Sequence, residues 1–521
     1  MREIPGSSPG TPIMDFFKKY IILFVIFITG ACVLIIEVVA VRILSPYYGN
    51  TIFTVSSVIG IVLAALSLGY YIGGKLADRC PSLKIFYSII LFSGISVLLL
   101  QLLKLFALPA LGYGLSLTSG PFISAIILFF LPAFLLGTLS PFAIKLQKSI
   151  VPKQGIGSVA GKVFFWSTLG SIFGSLFAGF VLIPHLGLNQ IVIGIGILLT
   201  AIGLISLLKL GIDKFMLQAI LVVLLIFSSA LFYFFQQSNT NIVYTRDGVY
   251  EKITIYDIEY EGELARFLQQ DRSVSSAMFL NSEELVFDYS KYYLLYKIFK
   301  PETKEILAIG GGAYSTPRAL LNESPDINVD VCEIEPSLFE LAKRYFRLSD
   351  DPRLKNYIED GRRFLYDVDK KYDLIFSDVY YSLYSIPPHF TTQEFFQLAK
   401  DKLSENGIFI ANIAGALFPE PPSFILSEIK TFESVFPNSY FFAVKSPDLI
   451  EAQNIMFVGY NSDKKIDFNS SQVKEHKDPF IRNLGEKIID LNKFDFSQHP
   501  KLTDNFAPVE YLITTTLRDV F

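Results

Sequence analysis

Residues 305–336 read EILAIGGGAYSTPRALLNESPDINVDVCEIEP. The run from Ile306 to Ile309 is short and apolar, as a buried strand is, and three glycines end it. A helical segment follows, then a second apolar run from Val329 to Ile334 that delivers Glu333 at its carboxyl end. This is half of a nucleotide-binding βαβ unit, in which glycines let the backbone approach a ligand and an acid about 20 residues on binds ribose hydroxyls. Ser315 stands where a third glycine is usual. A plain tight turn at Gly310, Gly311 and Gly312 is therefore the competing reading, and the neighbouring strands decide between them.

Those strands repeat the arrangement. Asp360 follows the short strand NYIED and opens the helix GRRFLYDV. The run YDLIFSD, residues 372–378, is a further strand with Asp378 at its end. A helix (TTQEFFQLAKDKL), a turn at Asn406-Gly407 and the strand IFIANIAG complete the pattern. Strands alternating with helices imply a doubly wound parallel sheet, whose ligands lie beyond the carboxyl ends of the strands. Gly310–Gly312, Glu333, Asp360 and Asp378 all fall on that edge, which a set of unrelated turns does not explain. Upstream, residues 242–280 alternate apolar and polar as a small antiparallel sheet does, and LVFDYSKYYLLYKIF reads as a tyrosine-rich helix from Leu285.

The first half is chemically different. Hydrophobic residues make up 51% of the chain, its mean hydropathy is +0.43, and the excess lies before residue 240. Seven stretches are long enough to cross a bilayer, near 20–43, 52–74, 84–108, 120–144, 161–184, 189–208 and 215–236. The expected organisation is a polar, disordered tail (1–19), a membrane domain of about seven helices (20–238), a small β-rich subdomain (242–284) and a nucleotide-binding domain (285–521). Gly69-x-x-x-Gly73 and Gly170-x-x-x-Gly174 are spaced for close helix packing in lipid. Glu37 lies deep in the first span and Arg42 near its end. An intramembrane carboxylate is a functional candidate unless an ion pair or a hydrogen bond to a neighbouring helix satisfies it.

Charge narrows the classes further. A formal net charge of −4 argues against a nucleic-acid binder. Three isolated cysteines and four unpaired histidines form neither a disulfide framework nor a metal site. With the N-terminus inside, twelve Lys and Arg residues fall on inner segments and only Arg42 and Lys104 on outer loops. Seven crossings then place the second half outside the cytoplasm, whereas adenosyl donors are cytosolic. Either one stretch does not cross, or the second half works outside on something else.

In this order and spacing, IGGGAYSTPR, VDVCEIEP, DGRRFL and YDLIFSD resemble the spermidine synthase (polyamine aminopropyltransferase) family. GACVLIIEVVAVRILSPYYGN, GYYIGGKLADR and GSLFAGFVLIPHLG are similar to the membrane half of its membrane-fused branch. LVFDYSKYY, IPPHFTTQEFF and LTDNFAPVEYL are similar to that branch's soluble half, so the resemblance spans about residues 20–515. It implies a multi-pass helical membrane domain followed by an α/β Rossmann-like domain with a small N-terminal sheet.

The implied reaction moves an aminopropyl group from decarboxylated S-adenosylmethionine, used as a co-substrate without metal, to an amine. By position, Gly310, Gly311 and Gly312 would lie beside the nucleoside and its sulfonium chain. Glu333 would hold the ribose hydroxyls, Asp360 the adenine amino group, and Asp378 the attacking amine, which it would deprotonate. Asp271, Asp288, Tyr289 and Tyr381 are the acceptor-side candidates. The implied partners are the lipid bilayer, a small amine or membrane-associated acceptor, and a second copy in a homodimer.

Several positions depart from the family pattern. Ala313, Tyr314 and Ser315 replace an acid and two glycines; Tyr381 replaces a second acid; Asp288, Tyr289 and Ser290 replace Tyr-His-Glu. Two alternatives follow. One is a methyltransferase using S-adenosylmethionine on a membrane lipid or surface glycan. The other is a non-catalytic transporter or scaffold that senses a nucleoside or polyamine.

Overall fold

The computed structural model describes residues 12–211, 241–380, 386–418 and 420–517. The chain divides into two compact units, Met1–Ser238 and Asn239–Phe521.

The first unit is helical: α1 (Pro12–Tyr48), α2 (Ile52–Arg79), α3 (Leu83–Gly114), α4 (Ser119–Gly137), α5 (Leu139–Ile150), α6 (Ile156–Phe177) and α7 (Leu188–Leu210). Among the described residues six helical segments are long and apolar enough to cross a membrane, α4 and α5 forming one together and α6 continuing to His185. They overlap the first six expected spans and mostly run longer. The seventh expected span, 215–236, lies outside the described residues. Gly170 and Gly174 of α6 lie against the Phe27 and Ala31 backbone of α1, where a Cβ would collide, so this spacing is used for packing. Glu37 stands half-buried, with no hydrogen bond or ion pair to another described residue. Among the described residues neither the ion pair nor the helix–helix hydrogen bond weighed for it is made.

The second unit opens with an antiparallel meander of β1 (Ile242–Asp247), β2 (Lys252–Tyr260), β3 (Glu263–Gln270) and β4 (Ser273–Phe279). The expected tyrosine-rich helix is instead a 3-10 segment, Asp288–Leu295, followed by one α-turn, Tyr296–Phe299. Tyr292 to Tyr296 are all buried. A run with no polar face lacks the single apolar stripe that selects a surface α-helix.

The main sheet comprises β5 (Glu305–Ile309), β6 (Asn328–Glu333), β7 (Leu354–Ile358), β8 (Tyr372–Ser377), β9 (Leu403–Gly415), β10 (Ser439–Ala443) and β11 (Gln453–Tyr460). Its order is β10-β11-β9-β8-β5-β6-β7. The five strands from β9 to β7 are parallel, while β11 and β10 are added antiparallel. Helices α8 (Ser315–Glu323), α9 (Leu338–Tyr345), α10 (Gly361–Asp367), α11 (Gln393–Asp401) and α12 (Phe424–Glu433) connect or follow the strands. Ile306 and Leu307 on opposite faces of β5 are both fully buried. That two-sided burial, about 1.5–3 kcal/mol for each large apolar side chain, explains the continuous apolar run in the sequence. From β5 the chain winds to β6 and β7 on one side, then returns to β8 on the other. The reversal opens a crevice between the carboxyl ends of β5 and β8, where ligands bind in such sheets.

Candidate active site

Side chains alternate along a strand, so every second residue shares a face. On one face Val331, Ala308, Phe376 and Ile410 are paired across β6, β5, β8 and β9 and are buried. One step nearer the carboxyl ends, that face carries Glu333, Gly310, Asp378 and Asn412. The core's apolar layering thus gives way to one polar rung at the switch point.

Gly310 continues β5 with its N–H on the Cys332 carbonyl at 2.9 Å, while the Asp378 N–H reaches the Ile309 carbonyl at 2.9 Å. Its φ is +90°, and a Cβ there would strike the Asp378 carbonyl oxygen. Only glycine fits this approach. Glu333 holds the turn: one carboxylate oxygen accepts the Gly311 and Gly312 N–H groups at 2.7 and 3.3 Å, the other the Glu335 N–H at 2.8 Å. Burial pushes the carboxyl up, and these three donors pull it back. A carboxylate offers about four acceptor positions, so three are already committed to backbone. The Ala313 N–H, at the position of the missing acid, donates to Ser276 Oγ of β4 at 3.1 Å.

Asp360 caps α10 by accepting the Arg363 N–H at 3.0 Å, and its other oxygen meets His389 Nε2 at 3.1 Å. Burial pushes Asp360 up, but the bonds to His389 and the Arg363 amide outweigh it and hold the carboxyl below its ordinary range. Asp378 accepts the Asn412 side-chain N–H at 2.9 Å, and Asn412 Oδ1 accepts from Asn454 at 2.9 Å. Burial pushes the Asp378 carboxyl up to about 6, with the Asn412 bond opposing. Tyr289 donates to the Ser275 carbonyl at 3.0 Å, and Tyr380 to the Asn412 carbonyl at 3.0 Å.

These groups line one cavity of about 730 Å3. Gly310, Gly311, Gly312, Glu333, Asp360, Asp378, Asp288 and Tyr289 all contribute to its wall. Asp288 does so while ion-paired with Lys291 at 2.8 Å. Asp271 is not brought there: at the β3–β4 turn, with φ of +52°, its side chain accepts the Lys252 N–H at 2.9 Å. Asp271 is thus engaged by the start of β2 and does not line the cavity. Tyr381 lies outside the described residues.

The sequence reading did not single out Asn412, Asn454, Tyr380, Glu251 or His389. Asn412 left a trace, as the polar residue that breaks the Ile408, Ile410 alternation. Asn454 and His389 left none, because β11 and the segment after β8 reach the site only through the fold. Glu251 is buried on the cavity wall with Gln270 donating to one oxygen at 2.8 Å. Its other oxygen has no hydrogen-bond partner among the described residues. Among those residues, no group of three or more His, Cys, Asp or Glu is gathered as a metal-holding cluster.

A doubly wound sheet with a glycine turn, strand-end acids and a cavity at its switch point defines the Rossmann-like methyltransferase and spermidine synthase class. Residues 262–470 match the family described as the spermine/spermidine synthase domain, so the C-terminal half carries such a domain, preceded by six long apolar helical segments among the described residues. The polyamine aminopropyltransferase of Vibrio vulnificus is 24% identical over 287 residues, covering 53% of this chain and 93% of that enzyme. The eEF1A lysine and N-terminal methyltransferase of Xenopus laevis is 30% identical over 192 residues, 35% of this chain and 26% of that protein. A probable spermidine synthase from Corynebacterium glutamicum superposes with a TM-score of 0.43 at 22% identity, over 52% of this chain and 99% of that one.

Proposed function

We propose that this chain is an integral membrane aminopropyltransferase, moving the aminopropyl group of decarboxylated S-adenosylmethionine to a small amine. The observation that carries the reading is Asp378: a half-buried carboxyl on the cavity wall at the switch point, held by one amide N–H. With its carboxyl pushed up to about 6, it is mostly ionised at neutral pH yet basic enough to take a proton from an ammonium acceptor. The amine then attacks the methylene carbon beside sulfur; the N–C bond forms as the C–S bond breaks, and sulfur leaves as a neutral thioether. Rate comes mainly from holding the two partners in line.

Cavity charge supports the cationic donor. Nine acidic side chains and three lysines line the wall; even with burial favouring the neutral form of Glu251 and Asp288 paired with Lys291, acids remain in excess, which favours a ligand carrying both a sulfonium and an ammonium over its carboxylated parent. The glycine turn gives the nucleoside access, Glu333 orients that turn with one acceptor position to spare, and Asp360 faces the cavity beside it. In the sequence Ala313 and Tyr381 stand where the family usually has acids, which favours a single-amine acceptor over a diamine.

A second reading is methyl transfer from S-adenosylmethionine, favoured by the methyltransferase relative and by the missing acid at Ala313. The test is calorimetry on the full chain in detergent with both donors and methylthioadenosine, followed by mass analysis of products formed from amines. An aminopropyl adduct supports the first reading, and a methyl adduct transfers support to the second. Binding of none of the three ligands overturns both.

A further inference from the structure

We propose that Asn454 is a positioning residue: by fixing the side-chain amide of Asn412 it determines that an N–H, rather than a carbonyl oxygen, meets Asp378. The proposal rests on the reading of Asp378 as the base and adds what tunes it.

The argument begins in the β9–β11 ladder. Asn454 pairs with Ala414, and Met456 with Asn412. In an antiparallel pair the diagonal neighbour on the same face lies within side-chain reach, so Asn454 and Asn412 meet two positions apart. Asn454 Nδ2 donates to Asn412 Oδ1 at 2.9 Å, and Asn412 Nδ2 donates to Asp378 Oδ1 at 2.9 Å. An amide has a donor end and an acceptor end. Once its oxygen is occupied by Asn454, Asn412 has only N–H groups left for the carboxylate. All three residues line the cavity, and Asn412 is 4% exposed, so bulk water is a poor substitute for either bond.

Among the described residues no cation is paired with Asp378. The groups facing it are the Tyr289 phenol from the 3-10 segment, Tyr380 two residues along the chain, the Gly310 backbone from β5 and Asn412 from β9. Glu428 of α12 acts on Tyr380 from behind. Burial holds both phenols neutral, each pushed well above its ordinary value. The amide of Asn412 is thus the polar contact that opposes the cost of burying the base.

The decisive variant is Asn454→Asp in the full chain in detergent. An isosteric carboxylate cannot donate, so Asn412 turns its N–H groups toward position 454 and presents its oxygen to Asp378. Asn454→Leu releases Asn412 without imposing the reversed orientation. Two readouts apply. The first needs no substrate: the pH dependence of thermal stability, with Asp378→Asn as background, reports where Asp378 ionises. The second is the pH profile of turnover.

The expected result is an upward move of the Asp378 midpoint by about one pH unit for Asn454→Leu, from the weakened hydrogen bond, and a larger rise for Asn454→Asp, where the added carboxylate also repels Asp378. Asn454→Leu, which adds no charge, decides on direction, and Asn454→Ala takes its place if it fails to fold. An unchanged midpoint in a folded variant overturns the proposal, as does lower turnover with no change in the pH profile, which marks a purely structural role. If Asp378→Asn leaves turnover intact, the assignment of the base fails, while the stability midpoint still decides whether Asn454 governs it.

Discussion

Replacing Asp378 by Asn removes the charge, keeps the shape, and retains an oxygen to accept the Asn412 N–H. Burial raises the Asp378 carboxyl from 3.8 to about 6. An acid that is harder to ionise folded than unfolded costs nothing below pH 3.8, and the cost grows until the folded group is itself ionised above pH 6. Two units at 1.36 kcal/mol each give about 3 kcal/mol at pH 8, shrinking to about 0.5 kcal/mol at pH 4. Asp378→Asn is therefore expected to stabilise the chain at pH 8, by roughly 5–10 °C in Tm, and scarcely at all at pH 4. Turnover is expected to fall by about 10²–10⁴-fold, because the acceptor keeps its proton. The assay is thermal unfolding in detergent across pH 4–8, paired with product formation at pH 8. Equal stability changes at the two pH extremes would refute the buried-charge account, and undiminished turnover would refute the base.

Three further expectations follow. Glu333→Gln weakens methylthioadenosine binding about tenfold or more, since its N–H end repels the Gly311 and Gly312 donors that the carboxylate gathers; calorimetry showing unchanged affinity contradicts this. Gly310→Ala forces a Cβ onto the Asp378 carbonyl at a φ of +90°, so it is expected to cost about 1–3 kcal/mol and abolish donor binding, and a variant of wild-type Tm that still binds donor rules out the strain argument. Cys80 is the exposed cysteine beside the basic segment Lys75–Lys84, with Cys32 and Cys332 buried; an impermeant maleimide is expected to label it only after cells are opened, and labelling of intact cells reverses the charge-based topology.

Much of the soluble half was readable from local pattern. Burial on both faces demands a continuous apolar strand, and the first polar residue past that run marks the point where the sheet meets solvent or ligand. Gly310, Glu333 and Asp378 each sit at such a boundary, whereas Asp360 follows the part-exposed edge strand β7 and is marked instead by the helix it opens. The apolar helices of the first half are equally local, because bilayer thickness dictates a length. Tertiary structure decided what each polar group faces. Asp271 and Glu333 are both acids at the end of a strand, yet one is taken by the first amide of β2 and the other by the glycine loop. Asn412 and Asn454 are 42 positions apart in the chain and were joined only when β11 was laid antiparallel on β9. His389 reached Asp360 because the chain returns past α10 after β8. Apolar periodicity is written in neighbouring residues, but a hydrogen-bond partner is chosen by strand order and register, which depend on the whole chain packing at once.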